Sequence, residues 1–311
     1  MIAALPEPRL ARFSHVGLVG KPAHTNSAAG LHALLGVADW LAQRCECWVE
    51  TQTALSLSLS TPHCDLLDLP KHVDAVVVVG GDGTMLAVAR DLAAFKTPLI
   101  GINQGQLGFM TDIGLQSFET ELDQIIQGHY ALEQRSMLKG ELLRGGHTLA
   151  NALALNDAVI SRGASASMVD VSVRVDGVMA YRLRADGLIV ATPTGSTAYS
   201  LSANGPILHP SVGGFVIVPV APQTLSNRPI VLPDSAVIDI TLEPARGTGS
   251  TASFDMQQWQ SLQAGDVVRI QKSPLSVRLV HPLSYDYYNT LRQKLHWTYN
   301  PIDPSHLHQS P

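Results

Sequence analysis

The feature that most constrains this chain is a valine run that ends in glycines. Val73-Asp74-Ala75-Val76-Val77-Val78-Val79 passes directly into Gly80-Gly81-Asp82-Gly83-Thr84, and a helical pattern follows from Met85 to Ala94. A strand that is apolar on both faces belongs in a parallel sheet covered by helices on each side. Glycines at its end let the backbone turn sharply and approach a ligand without Cβ interference. The free N–H groups of the helix start then form an anion site, with Thr84 as the expected N-cap. A carboxylate in such a loop is repelled by a phosphate ligand. Asp82 therefore either meets a magnesium ion or accepts a hydroxyl proton, as phosphoryl transfer requires, or it is a turn aspartate that caps the helix. The loop alone leaves both readings open.

Strand-like and helical patterns alternate up to about residue 130, with strands over 16–19, 73–79 and 98–101 and helices over 28–43, 85–94 and 117–127. Beyond that point short strands follow one another, over 149–155, 169–175, 178–183, 187–191, 215–220, 236–242, 267–271 and 276–280. Asp176-Gly177, between two alternating runs, predicts a two-residue hairpin. The expected fold class is an α/β N-terminal domain with a parallel, Rossmann-like sheet carrying the glycine loop, plus a mostly-β C-terminal domain. A chain of 311 residues is long enough for two cores. The boundaries read as 1–135 for the α/β domain, with the tail 282–311 packing back on it, and 136–281 for the β-rich domain.

The formal net charge of −5 argues against a general electrostatic grip on nucleic acid. No run of about 18 apolar residues predicts a membrane span, and Pro6 and Pro8 interrupt the opening residues before a secretory segment could form. Three cysteines suit a reducing cytosol, so a cytoplasmic location is expected. Cys45 and Cys47 read as one face of a short strand over 45–49 rather than as metal ligands, and the histidines show no ligand spacing. Gly20-Lys21 is followed by Pro22, so there is no Walker loop, and no strand-anchored G-x-G-x-x-G occurs.

Three further segments carry chemistry. Residues 101–112, Gly-Ile-Asn-Gln-Gly-Gln-Leu-Gly-Phe-Met-Thr-Asp, follow a strand, where ligands of α/β folds sit. Asn156-Asp157 interrupts the apolar run 153–160, and a buried amide beside a buried acid must find partners. Residues 186–206 end a strand at Thr192-Pro193 and turn at Gly195 into a hydroxyl-rich stretch, Ser196, Thr197, Tyr199, Ser200 and Ser202. Each could equally be a plain turn.

Taken together and in this order, the segments resemble the NAD kinase family. GGDGT is shared with a wider superfamily that includes lipid kinases, whereas DGLIVATPTGSTAYSLSANGP at 186–206 is close to diagnostic of NAD kinases. GINQGQLGFMTD at 101–112, ALND at 154–157 and HPLSYDYYNTLRQKLHW at 281–297 resemble the proteobacterial, ATP-dependent branch. The resemblance implies phosphorylation of the adenosine ribose 2′-hydroxyl of NAD by ATP, with magnesium or another divalent cation. It implies Asp82 as the catalytic proton acceptor, with Gly83 and Phe109 against the substrate. Asn156 and Asp157 would hold the adenosine; Thr197, Ala198, Tyr199, Ser200, Leu201 and Ser202 would contact adenine and ribose. Arg184 and Asp186 would face the nicotinamide end, and Gln257 would be a late contact. A homo-oligomer, dimer or tetramer, is also implied. Asp157 stands where many members have glutamate, and Ser167 where some have histidine. The alternatives are a lipid kinase of the same superfamily and a non-catalytic NAD-binding regulator. The segment 286–297, with Arg292 and Lys294 against Asp286, is too polar for a membrane-facing surface.

Overall fold

The computed structural model describes residues 11–21, 27–105, 108–163, 167–224, 226–244 and 249–297. Pro22, and Gln106 and Leu107 of the glycine-rich segment, lie outside these. The chain divides into two compact units, one of residues 1–133 and 278–311 and the other of 134–277.

The first unit contains β1 (His15–Gly20), α1 (Ala28–Ala42), β2 (Glu46–Glu50), α2 (Thr51–Leu57), β3 (His63–Cys64), β4 (Ala75–Gly80), α3 (Asp82–Leu92), β5 (Leu99–Asn103), β6 (Ile113–Gly114) and α4 (Phe118–Ile126). The strands lie in the order β3-β2-β1-β4-β5, all parallel, and the order reverses between β1 and β4. Every residue of β4 is buried, as its valine run requires. Leu34, Val37, Ala38 and Leu41 of α1 pack with Val16, Leu18, Val77 and Val79 of the sheet in one core. Ser27 caps α1, its hydroxyl accepting the Gly30 N–H at 3.1 Å.

The helix after the glycine loop starts earlier than the apolar periodicity predicts. Its N-cap is Gly81 rather than Thr84, and the Gly81 carbonyl accepts the N–H groups of Thr84 (3.0 Å) and Met85 (3.1 Å). Thr84 lies inside the first turn with its side chain against Gly80, where an added Cβ would come within 2.7 Å of the hydroxyl. Three polar or glycine residues at a helix start have no apolar period, which is why the pattern missed them.

The second unit is built from two antiparallel sheets. Its elements begin with β7 (Ala131–Arg144), whose first three residues belong to the first unit, β8 (His147–Ala154), β9 (Asp157–Ser161), β10 (Val169–Val175), β11 (Val178–Ala185), β12 (Gly187–Ala191) and the short α5 (Tyr199–Ser202). They continue with β13 (Gly214–Val220), β14 (Ile230–Pro233), β15 (Ile238–Leu242), β16 (Thr251–Phe254), β17 (Gln258–Ser261) and β18 (Val267–His281), whose last four residues belong to the first unit. One sheet runs β14-β13-β12-β9-β16-β17; the other contains β11-β10-β15-β18 and the β7–β8 hairpin. Inward residues such as Leu138, Ile160, Val171, Val190, Phe215, Ile240 and Ile270 form one core between them. Asp176 and Gly177, with φ of 50° and 79°, form the β10–β11 hairpin turn. The helix α6 (Tyr287–Leu295) follows β18.

Two sequence expectations are corrected here. Residues 267–271 and 276–280 form one strand rather than two, because Pro274 occupies an exposed position of β18, where a missing N–H is tolerated. The strand β7 was not anticipated at all: its start, Ala131-Leu132-Glu133-Gln134-Arg135, is rich in helix formers. Among the described residues no helix is long and apolar enough to cross a membrane.

Candidate active site

In the first unit, the carboxyl ends of β1, β4 and β5 open on a cavity of about 590 Å³. It lies where the strand order reverses, the usual ligand position of a doubly wound sheet. Lys21 follows β1; Gly80 ends β4, with Gly81 and Asp82 after it; Asn103 ends β5, with Gln104, Gly105 and Gly108 after it. Ser27, Ala29 and Gly30 bring in the N-terminus of α1, and Lys294 comes from α6. Two helix N-termini and two ammonium groups thus face one cavity, an arrangement that favours a polyanion. Gln104 braces it, its amide donating to the Gly30 carbonyl at 2.8 Å.

Asp82 is the first residue of α3, but its carboxylate does not serve as the helix cap. Oδ2 accepts the Phe109 N–H at 2.9 Å; Oδ1 accepts the Met110 N–H and the Thr111 hydroxyl, both at 3.1 Å. Thr111 is itself oriented by the Asn103 amide, which donates to its hydroxyl at 2.8 Å. A carboxylate oxygen has two acceptor positions. Oδ1 is therefore filled, and Oδ2 keeps one position for a further donor. Gly108 makes this possible: a Cβ there would overlap both Asp82 Oδ1 and Thr111 Oγ1. A Cβ at Gly83 would meet nothing within 4 Å, so that backbone is open to close approach. Phe109 is half-buried on the turn that holds Asp82.

In the second unit, Asn156 and Asp157 stand where β9 begins. The neighbouring Asp255 organises them: its carboxylate accepts the N–H groups of Leu155 (3.0 Å), Asn156 (2.8 Å) and Asp157 (3.3 Å). Asp157 is 2% exposed, and its Oδ1 finds no hydrogen-bond partner among the described residues. Burial, and then the charge of Asp255, push the Asp157 carboxyl up to about 7. The turn after β12 is joined to this point, since Thr192 donates its N–H to the Asn156 carbonyl at 2.8 Å and its hydroxyl to the Leu155 carbonyl at 2.5 Å. A Cβ at Gly195 would overlap the Asn156 carbonyl.

Much of the hydroxyl density of that turn serves its own backbone. Ser196 donates to Pro193 and accepts from Leu208; Thr197 donates to Thr194. The fully buried Ser200 hydroxyl finds no partner among the described residues, and Gly205 packs against it. Ala198 and Leu201 are half-buried, while Tyr199 and Ser202 are exposed.

The remaining candidates lie on other strands and turns of the second unit. Asp186 pairs with Arg162 at 3.6 Å, just before β12, whereas Asp157 pairs with Ala191 at the far end of that strand. Five strand residues place them about 16 Å apart. Arg184 on β11 pairs with Asp170 at 3.9 Å. Gln257 is exposed in the β16–β17 turn, beside Asp255 and Met256, whose φ values are 52° and 55°. Sequence reasoning did not single out Asp255 or Lys294 for this chemistry. Lys294 had a faint signal in the tail resemblance; the partners of Asp255 are about 100 residues away and gave none.

Comparison with known proteins follows the same division. The family of ATP-NAD kinase N-terminal domains matches residues 36–130, and that of ATP-NAD kinase C-terminal domains matches 155–282. An NAD kinase from Bordetella parapertussis is 47% identical over 293 residues, covering 93% of this chain and 97% of its own. One from Delftia acidovorans is 47% identical over 291 residues, covering 92% and 97%. Among solved structures, yeast NADH kinase complexed with NADH shares the fold at a TM-score of 0.84 and 24% identity, over 96% of this chain and 93% of its own. An NAD kinase from Archaeoglobus fulgidus in complex with ATP gives 0.68 and 25%, over 90% and 99%. By its two matched domains and by relatives of nearly half-identical sequence along almost its whole length, this chain belongs to the NAD kinase family.

Proposed function

We propose that the chain transfers the γ-phosphoryl group of ATP to the 2′-hydroxyl of the adenosine ribose of NAD, giving NADP and ADP. The observation that carries this reading is the Asp82 carboxylate, fixed by three donors with one acceptor position left on Oδ2, at the edge of a cavity suited to a polyphosphate. The donor's phosphates lie against the N–H groups of the glycine loop and the ammonium groups of Lys21 and Lys294. The ribose oxygen bonds to phosphorus, the bond from phosphorus to the β-phosphate bridging oxygen breaks, and Asp82 takes the hydroxyl proton.

NAD is held by the second unit. Asn156 and Asp157 receive the adenosine, and the 197–202 turn supplies a close surface of small residues. Arg184 and Asp186 serve the nicotinamide end; the distance of Asp186 from Asp157 along β12 suits an extended dinucleotide. Gln257 is a further contact, and Gly83 and Phe109 lie against the substrate near Asp82.

Magnesium, or another divalent cation, enters as part of the donor. Among the described residues no group of three or more His, Cys, Asp or Glu side chains is gathered to hold a metal ion. Asp82 already accepts three hydrogen bonds. This donor set suits a cation carried on the phosphates. The three free cysteines support a cytoplasmic location. Exposed Val178 and Met179 on the edge strand β11 support self-association into a homo-oligomer.

The test is a coupled assay for NADP with NAD, ATP and magnesium, run beside diacylglycerol as acceptor. NADP formation dependent on all three components is expected. Phosphorylation of diacylglycerol alone would assign a lipid kinase. NAD binding by calorimetry without turnover would assign a regulator.

A further inference from the structure

His281, the last residue of β18, is a buried titratable group that the proposed chemistry does not use. Its side chain is 2% exposed, and both ring nitrogens face carboxylates: Nδ1 lies 2.9 Å from Asp112 Oδ2, and Nε2 lies 3.0 Å from Glu133 Oε2. A neutral imidazole has one N–H and one lone pair. It can satisfy one of these oxygens but would set its lone pair against the other. The geometry is that of an imidazolium donating to both. The Tyr285 ring stacks on it at 4.1 Å and 12°, which suits a cation.

The other charged neighbours make the arrangement dependent on that proton. Asp112 is 5% exposed at its side chain, and its Oδ1 has no hydrogen-bond partner among the described residues. Glu121 of α4 is close enough for the Asp112 charge to be felt at its carboxyl. His129 and Glu121 line a small cavity of about 240 Å³ with Pro282 and Leu283. A buried carboxylate beside a cation is strongly destabilised when the cation is lost, and a neutral His281 keeps a donor for only one of the two carboxylates, so loss of its proton weakens the hold on the Asp112 turn.

That turn is the one that holds Asp82. Asp112 directly follows Thr111, whose hydroxyl donates to Asp82, and Phe109 and Met110 supply the other two donors. We propose that His281, as an imidazolium between Asp112 and Glu133, is a positioning residue for phosphoryl transfer, anchoring the 108–112 turn that orients the Asp82 carboxylate. This rests on the reading of Asp82 as proton acceptor. Burial lowers the His281 pKa, but the hydrogen bonds to Asp112 and Glu133 outweigh it and hold the group above its ordinary value. The proton is therefore held to higher pH than on an ordinary histidine.

The test uses the full chain with ATP, magnesium and NAD. His281→Asn keeps a donor toward Asp112 but cannot reach Glu133; Glu133→Gln leaves the histidine in place and removes one charge, so at least one variant should fold. Both should lower kcat, His281→Asn by about ten- to a hundredfold through misplacement of the reacting groups, with KM for NAD and ATP unchanged. The alkaline limb of kcat should disappear in His281→Asn and move to lower pH in Glu133→Gln. ¹⁵N shifts of labelled histidine should show both His281 nitrogens protonated at pH 7; a neutral tautomer there overturns the proposal. So does a variant that melts earlier yet keeps the wild-type kcat and pH profile. In the Asp82→Asn background, His281→Asn should cost nothing further. Turnover lost in Asp82→Asn but untouched by His281→Asn removes only the positioning role. Turnover intact in Asp82→Asn removes the reading of Asp82 itself, and the positioning role with it.

Discussion

Asp82 Oδ1 and the Thr111 hydroxyl lie 3.1 Å apart across 29 residues of sequence, and this bond closes the glycine loop onto the turn after β5. An Asp82→Asn change keeps the carbonyl that Thr111 and Met110 need but points an amide N–H₂ at the Phe109 N–H. We expect it to lower kcat by about 10²–10⁴-fold, with the loss of one buried hydrogen bond costing roughly 1–3 kcal/mol of stability. NAD affinity measured by calorimetry should be unchanged. Wild-type turnover in the variant would refute the assignment of Asp82.

Gly108→Ala places a Cβ where Asp82 Oδ1 and Thr111 Oγ1 now sit. The carboxylate must swing away, so kcat should fall at least as far as in Asp82→Asn. Overpacking of this kind costs about 1–3 kcal/mol, readable in urea unfolding. An active Gly108→Ala enzyme would mean that the observed Asp82 orientation is dispensable.

Lys294 lines the polyanion cavity from α6. Lys294→Met should raise KM for ATP about tenfold, the worth of one charged hydrogen bond, and leave KM for NAD alone. Lys294→Arg should restore most of the loss. Equal effects on both substrates would show that the change acts through the fold.

Asp157 yields a pH dependence whose sign follows from its surroundings. Its carboxyl is pushed up to about 7 in the folded chain, against about 3.9 when unfolded. Between these values the unfolded state has released a proton that the folded state keeps, so stability falls as pH rises across the window. Asp157→Asn removes that fall. Urea unfolding at pH 4.5 and pH 7.5 should show a smaller difference between the two pH values in the variant than in the wild type; identical slopes would place the Asp157 proton elsewhere.

The α/β unit was legible because its signals are local. A fully apolar strand ending in glycines specifies a buried parallel strand and the loop that follows, whatever the rest of the chain does. The second unit was legible as β but not in its pairing: β7 begins with helix formers, and β18 passes through Pro274, which reads as a break. Candidate site residues came from motifs, and motifs end where sequence continuity ends. His281 meets Asp112 across 169 residues, and Asp255 meets Asn156 across 99. No spacing rule connects such pairs, because only the folded chain makes them neighbours. The hydroxyl-rich turn reads as a contact surface for adenine and ribose; what the sequence does not show is that Ser196 and Thr197 bond their own backbone.

That last observation bears on inhibitor selectivity. Where its donors are occupied internally, at Ser196 and Thr197, the turn discriminates by contour. On the proposed reading it should tolerate adenosine analogues that lack a polar group facing Ser196 or Thr197, since neither hydroxyl would be left unpaired. Analogues enlarged on the side that lies against the turn should be rejected by collision with a backbone that Gly195 and Gly205 already pack tightly. Rejection by missing hydrogen bonds is far stronger than rejection by a missing methylene, so the specificity supplied at Ser196 and Thr197 is one-sided, against the larger ligand.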